Sequence, residues 1–79
     1  MLLPNKIFTY NESILSKFPF VLKELSISPQ SVITLYMKMR PLISDVGEYI
    51  EILDSLYALQ KIEYDEDREV LINVSRHTL

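Results

Sequence analysis

Residues 45–74 read DVGEYIEILDSLYALQKIEYDEDREVLINV, and this stretch decides the fold. Asp45, with a glutamate three residues later, has capping-box spacing and predicts the start of an amphipathic helix over residues 45–60. Two short runs of alternating apolar residues follow, at residues 61–64 and 70–74, with an acidic turn between them. A helix that leads into a hairpin at the end of a small α-rich chain is typical of a winged helix.

The residues before this stretch predict two earlier helices. Asn11 is a good N-cap for the first helix, and Pro19 inside that helix predicts a kink or a late start. A Ser-Pro pair at residues 28–29 predicts the start of the second helix, which should end near Arg40 because Pro41 disfavours helical backbone in the residue before it. The residues expected to face the core are Ile14, Leu15, Phe18, Val21, Leu22 and Leu25 in the first helix and Val32, Leu35, Tyr36 and Met39 in the second.

Together these elements predict a mainly α fold with a small β-hairpin, which is a winged-helix-like three-helix domain. The whole chain, residues 1–79, is expected to form this single domain. Its parts would be an extended arm at 1–10, three helices within 11–60, a β-wing at 61–74 and a loose tail at 75–79. Such domains contact DNA or protein through the wing and the helix before it, so the surface chemistry of these two elements should separate the two roles.

Length and composition limit the classes of function. With 79 residues the chain can bury only a small core, and its hydrophobic content of 48% is generous for a domain with so much surface. Some of the apolar surface is therefore expected in an interface with a partner or with a second copy of the chain. The net charge of −3, from 8 basic and 11 acidic residues, disfavours DNA binding by the isolated chain, because phosphate contacts need Lys and Arg.

The sequence also carries a prediction about the cellular compartment. Its apolar runs are short and interrupted, so no membrane span is expected, and the N-terminus lacks the apolar core of a signal peptide. There is no cysteine, so neither a disulfide framework nor a Cys-based zinc site is expected. A cytoplasmic protein is the simplest interpretation.

No motif predicts catalysis, a cofactor or a metal site. His77 is the single histidine, and no second His or Cys can complete a metal site with it. Asp65, Asp67 and Glu69 have part of the spacing of a calcium loop but lack its glycine and its distal glutamate, so a plain turn is the simpler interpretation. The single glycine, Gly47, argues against a phosphate-binding loop. We therefore expect a protein that is not an enzyme and binds neither metal nor cofactor.

The polar face of the third helix is acidic. Glu48, Glu51 and Asp54 line it without Lys or Arg, whereas a helix in the DNA major groove needs basic or amide side chains aimed at the bases. As paired catalytic carboxylates these residues would need a water-excluding cleft, which so small a domain does not obviously provide. They are expected to form a solvated face that, if functional, meets a basic protein surface. Leu53, on another face of the same helix, is expected at the centre of the core.

Apolar residues that lie off the predicted core faces are candidates for a partner interface. Phe20 in the first helix and Ile33 and Met37 in the second point away from the core faces. Scattered apolar residues are also ordinary on protein surfaces, so incidental exposure is the alternative. The apolar residues of the third helix span roughly 180°, and its margin at Ile52 and Leu59 is expected to be covered by a partner.

Three segments carry a resemblance: LPNK at residues 3–6, NESIL at residues 11–15 and ILDSLYALQKIEYD at residues 52–65. Together they resemble the small middle components of bacterial ABC-three-component systems, in order and over nearly the whole chain, with motifs that are mainly structural. The chain departs from the family pattern at residues 16–19, where the family has small, glycine-rich residues, and at Gln60, where it has a glycine. A left-handed helix end is easy for glycine, so Gln60 should adopt it at some cost.

The resemblance implies a non-enzymatic subunit encoded between an SMC-like or Rad50-like ABC ATPase and an effector protein. Such systems defend bacteria against phages and plasmids and are related to the Lamassu type. In that setting the winged-helix unit would bind the ATPase or the effector as an adaptor, and catalytic residues would belong to the other subunits. The alternative is a winged-helix DNA-binding transcriptional regulator or an antitoxin-like protein, which the fold allows but the acidic third helix and acidic wing tip oppose.

Overall fold

The computed structural model describes residues 12–76 of the chain. Residues 12–16 are helical, and the helices that follow are α1 (Phe18–Ile27), α2 (Val32–Met39) and α3 (Val46–Ala58). The strands β1 (Ile62–Asp65) and β2 (Val70–Asn73) come after α3, and short 3-10 turns lie at Arg40–Leu42 and Val74–Arg76. This order confirms the predicted fold class, which is mainly α with a small antiparallel hairpin in a winged-helix-like arrangement.

Some predictions fall outside the described residues. The extended arm at 1–10, the N-cap at Asn11 and the position of His77 belong to this group. Within residues 12–76, no helix is long and apolar enough to cross a membrane. The predicted loose tail is wrong for Ser75 and Arg76, which lie in the last 3-10 turn, where the backbone N–H of Ser75 donates to Asn73 Oδ1 at 2.9 Å.

A break at Lys17 separates the first helical residues from α1. Pro19 lies in the first turn of α1, where its missing N–H removes no helical hydrogen bond, so the predicted late start is confirmed. The break also changes which side chains face the core. Ile14 is buried, but Leu15 is 56% exposed, so the prediction that Leu15 belongs to the core is wrong.

The start of α2 differs from the prediction. Ser31 caps the helix, with its side chain accepting a hydrogen bond from the Thr34 N–H at 3.0 Å, and the Ser-Pro pair at residues 28–29 lies before it. Gln30 instead pairs with Leu71 of β2 through two backbone hydrogen bonds of 3.2 and 2.7 Å. This pairing holds the α1–α2 connection against the hairpin and delays the helix. Val32, which was predicted to face the core, is exposed at the first position of α2.

Both ends of α3 are closed by local hydrogen bonds. The Asp45 side chain accepts from the Glu48 N–H at 2.9 Å, which confirms the predicted cap. At the other end, Gln60 has a φ of 60°, as expected from its place where the family has a glycine. The N–H groups of Gln60 and Lys61 donate to the carbonyls of Tyr57 and Leu56, both at 2.9 Å, which is the Schellman pattern. This turn sends the chain directly from α3 into β1.

The core lies between the three helices and one face of the hairpin. Ile52 is completely buried, whereas Leu53 is only partly buried against the core, so the prediction of Leu53 as the core centre is wrong. Tyr49 packs its ring against Tyr36, with centroids 5.0 Å apart, and its hydroxyl donates to the Val32 carbonyl at 2.7 Å. The buried hydrophobic residues of the core are Ile14, Val21, Leu25, Leu35, Met39, Tyr49, Ile52, Leu56, Ile62 and Leu71.

The hairpin is tied into the helical part of the fold. Ile62 pairs with Asn73 and Asp65 pairs with Val70, which confirms the predicted strands to within one residue at each end. Asn73 is buried, and its side-chain amide donates to the Leu22 carbonyl of α1 at 2.9 Å. A buried amide with such a partner fixes the hairpin relative to α1.

Candidate protein interaction site

A groove runs between the first helical residues and the outer side of α3. It has a volume of 440 Å³, and we call it the α3 groove. Its apolar lining includes Leu15 and Leu59, which are 56% and 58% exposed. The full lining consists of Ile14, Leu15, Phe18, Glu51, Ser55, Ala58 and Leu59. The predicted exposure of Leu59 is confirmed, and its role in binding stays a prediction.

A second groove lies where α3 meets the hairpin. We call it the hairpin groove; its volume is 560 Å³ and it is lined by Tyr57, Ala58, Gln60, Ile62, Glu63 and Val74. Ala58 lines both grooves, so the two lie next to each other at the end of α3. The left-handed turn at Gln60 creates this geometry, because it turns β1 back alongside the last residues of the helix.

The two grooves have an acidic rim. Glu51 lines the α3 groove and Glu63 lines the hairpin groove. Asp54 is exposed and lies one helical turn from both Glu51 and Ala58, on the same side of α3. Among the described residues, no Lys or Arg lines either groove. The predicted exposure of Glu51 and Asp54 is therefore confirmed, and the acidic residues border apolar surface.

The two halves of the chain carry opposite net charges. Residues 1–40 contain five basic and two acidic residues, a net charge of +3. Residues 41–79 contain three basic and nine acidic residues, a net charge of −6. The part of the chain that forms α3 and the hairpin is therefore strongly negative.

The prediction that Glu48 belongs to a solvated acidic face of α3 is wrong. The residue is only 5% exposed. Its carboxylate accepts a hydrogen bond from the Ser13 hydroxyl at 2.7 Å and another from the Ser44 N–H at 2.9 Å, and it lies 3.5 Å from the Lys17 ammonium. The Ser13 hydrogen bond, the Ser44 N–H and the Lys17 charge together lower the pKa of Glu48 against the opposing effect of burial.

The network around Glu48 positions one wall of the α3 groove. Lys17 donates to the Ser13 hydroxyl at 2.8 Å and to the Ser13 carbonyl at 3.0 Å. The Ser13 hydroxyl in turn donates to the Glu48 carboxylate. The first helical residues are thereby fixed to the start of α3. Leu15 follows Ser13 by two residues, so its place on the groove depends on this contact between residues 35 positions apart.

A separate apolar face lies on the outer side of α2, and we call it the α2 face. Ile33 and Met37 are 69% and 60% exposed, which confirms their predicted exposure. Arg40 is exposed one helical turn further on, and Lys38 lies nearby with its ammonium 3.1 Å from the Glu24 carboxylate. None of these residues lines either groove.

Two of the predicted interface residues pack against the core instead of lying on the exposed surface. Ile52 is completely buried in the core, because the helix presents this side of its wide apolar arc inward. Phe20 is partly buried and packs against the core, so its placement away from the core is also wrong. The break at Lys17 explains the partial burial of Phe20, because α1 starts after residue 17 with an orientation of its own.

The sequence did not reveal Leu15, Tyr57 and Ala58 as surface residues around the grooves. Leu15 was placed on a continuous core face because its spacing fits α1, but it precedes the break. Pro19 was the available signal, since a helix that starts late cannot continue the face of the residues before it. Val46, Ile50 and Tyr57 are exposed along α3 at spacings of four and seven residues and add to the apolar surface.

The candidate metal-binding residues of the described part of the chain do not form a metal site. No group of three His, Cys, Asp or Glu residues among them could hold a metal ion. Asp65, part of the calcium-like spacing, is occupied by the hairpin turn, where it accepts from the N–H groups of Asp67 and Arg68 and from Arg68 Nε. The Arg68 side chain is the main reason that the pKa of Asp65 is lowered. The chemistry of the site is that of apolar contact and charge.

Comparisons with known proteins identify one family. The family model described as ABC-three component (ABC-3C) system Middle Component 7 matches residues 3–71. Searches of curated proteins and of solved structures found no match.

Proposed function

The chain belongs to the Middle Component 7 family of ABC-three-component systems, and we propose that it is a non-enzymatic adaptor that links the other components of such a system. One observation carries this proposal. Two separate apolar surfaces of unlike charge, the acidic-rimmed α3 groove and the basic-flanked α2 face, are exposed on one small domain. A protein with two such surfaces can hold two different partners at once.

The proposed partners are an SMC-like or Rad50-like ABC ATPase and an effector protein. Support comes from the family of the chain and from the resemblance of its segments at residues 3–6, 11–15 and 52–65 to middle components. The proposed setting is a Lamassu-related complex in the bacterial cytoplasm that acts against phages and plasmids. The lack of cysteine fits a reducing compartment.

The charge of the chain argues against DNA as the principal ligand. In a winged-helix regulator the helix before the wing would carry Arg, Lys, Asn or Gln toward the bases. Here α3 exposes Glu51 and Asp54, and the hairpin turn exposes Glu66 and Asp67. Like charge would oppose the approach of this side to the phosphate backbone.

The adaptor proposal is tested by co-expressing the chain with the two proteins encoded beside it. A complex that contains all three proteins, purified on a tag attached to this chain and stable through gel filtration, is expected. The ATPase and the effector expressed without this chain form the control and should not associate with each other to the same extent. Failure of both proteins to co-purify with the chain would contradict the proposal.

A further inference from the structure

We infer that the α3 groove binds a basic, apolar helical segment of a partner protein. The inference rests on the proposed adaptor function, because it assigns one of the two surfaces to a partner of stated chemistry. It goes further in naming what that partner must present.

The shape of the groove suits apolar side chains presented by a helix. Its volume of 440 Å³ falls within the ~300–1,000 Å³ of ordinary ligand sites, and two helical segments form its walls. Leu15 and Leu59 stand on opposite walls and are both more than half exposed. An amphipathic helix fills such a groove with residues at i, i+3, i+4 and i+7.

The charge of the rim selects a basic segment. Glu51 lines the groove, and the exposed Asp54 lies one helical turn from it on α3. Among the described residues, no Lys or Arg that could neutralise these carboxylates lines either groove. Lysine or arginine residues that flank the apolar positions of a partner helix would pair with these carboxylates. Such complementary charges chiefly raise the rate of association and exclude wrong partners, while the apolar contacts supply most of the affinity.

The same charge argues against a second copy of this chain. Two copies that paired through the same groove around a two-fold axis would bring the acidic rims together. Glu51 and Asp54 would then face like charges, and such a contact costs binding energy. We therefore assign the occupant to a different protein, and a head-to-tail contact with the basic-flanked α2 face of a second copy is the alternative that cross-linking separates.

Photo-cross-linking in the assembled complex tests this assignment. The chain is co-expressed with its two partners, with a photo-reactive phenylalanine analogue at residue 15 in one sample and at residue 33 in the other. Both positions are exposed, so the substitution should leave the fold intact. We expect residue 15 to cross-link to a lysine- or arginine-rich helical segment of one partner, and residue 33 to give no product with that segment.

A charge-reversal pair supplies the second measurement. Glu51→Lys with Asp54→Lys should weaken binding of that partner by at least ~10-fold. Glu66→Lys with Asp67→Lys in the hairpin turn is the matched control, since it makes the same change in net charge away from the α3 groove. The control variant should bind within ~3-fold of the wild-type chain.

The outcomes separate the two proposals. If the wild-type chain forms no complex, the adaptor function and the groove assignment both fail. If the complex forms but the Glu51 and Asp54 variant binds like the control variant, the adaptor function stands and the groove assignment is overturned. A cross-link from residue 15 to an acidic segment, to nucleic acid or to a second copy of the chain would also overturn it.

Discussion

The α3 groove and the α2 face are both apolar and exposed, but they differ in shape and charge. The groove is a concave site between two helical segments with Glu51 on its rim. The α2 face is the outer side of a single helix, with Ile33 and Met37 beside Arg40. A concave site accepts side chains from a partner, whereas a convex one must be received by a groove on the partner. The two surfaces therefore suit different proteins.

The difference also extends to how each surface is built. The α2 face depends on residues close together in sequence and follows directly from helical geometry. The α3 groove needs the first helical residues to be held against α3 by Ser13, Lys17 and Glu48. Changes far from the groove can therefore alter the groove while leaving the α2 face unchanged.

The largest effect is expected for a change that removes both surfaces together. Ile52→Asp places a carboxylate at a fully buried position and should unfold the domain. Leu53→Asp, at a partly buried position, should destabilise it less. Circular dichroism with urea titration measures both variants. Equal loss of stability in the two would mean that the side of α3 assigned to the core is wrong.

A smaller effect, confined to one surface, is expected for Glu48→Ala. This variant removes the carboxylate that accepts from the Ser13 hydroxyl and the Ser44 N–H and that pairs with the Lys17 ammonium, and it should lower the free energy of unfolding by about 1–3 kcal/mol. Glu51→Ala, at an exposed position of the same helix, is the matched control and should stay within about 0.5 kcal/mol. Binding through the α3 groove should suffer more than binding through the α2 face. An equal effect of both variants on stability would show that the network contributes nothing.

The same network predicts a dependence on pH. The pKa of folded Glu48 lies below its ordinary value of 4.5, so its stabilising contribution is complete above pH 4.5 and is lost as pH falls through the folded pKa. The thermal midpoint of the wild-type chain should therefore fall more steeply below pH 4.5 than that of Glu48→Gln. Lowered pKa values of Glu24 and Asp65 act in the same direction in both proteins, but they arise in exposed pairs that salt screens. Parallel curves for the two proteins would contradict the role of Glu48.

The smallest effect is expected at the hairpin groove. Gln60→Gly relieves the left-handed backbone of a non-glycine residue and should raise the free energy of unfolding by up to about 1 kcal/mol. Gln60→Ala, which removes the same side chain but keeps the strain, is the control and should give no gain. Chemical denaturation resolves the two. A stabilised alanine variant would attribute the gain to the lost side chain and not to the backbone.

Local signals predicted the elements of the fold that depend on neighbours in sequence. The cap at Asp45, the late start caused by Pro19, the two strands and the strained Gln60 all follow from residues within a few positions of one another. The start of α2 could not be predicted in this way, because Gln30 pairs with Leu71 and no local pattern reveals a partner 41 residues away. Ser28 and Ser31 are both plausible caps, and the distant strand decides between them.

In the candidate site, too, features set by local spacing were predicted and features set by distant contacts were not. The exposure of Ile33, Met37 and Leu59 followed from helical spacing. The burial of Glu48 did not, since an acidic residue on a polar helix face is usually solvated and its partner Ser13 is 35 residues away. The apolar arc of α3 is so wide that spacing alone could not decide between Ile52 and its neighbour for the core centre.

The adaptor proposal is tested most directly by asking whether the α3 groove and the α2 face bind two different partners. The purified ATPase and effector are immobilised separately, and three forms of the chain are titrated onto each: wild type, Leu15→Glu with Leu59→Glu, and Ile33→Glu with Met37→Glu. All four positions are more than half exposed, so both variants should stay folded. We expect each double variant to lose at least ~30-fold in affinity for one partner and to keep its affinity for the other. Loss of both partners by a single folded variant, or full binding of both partners by both variants, would contradict it.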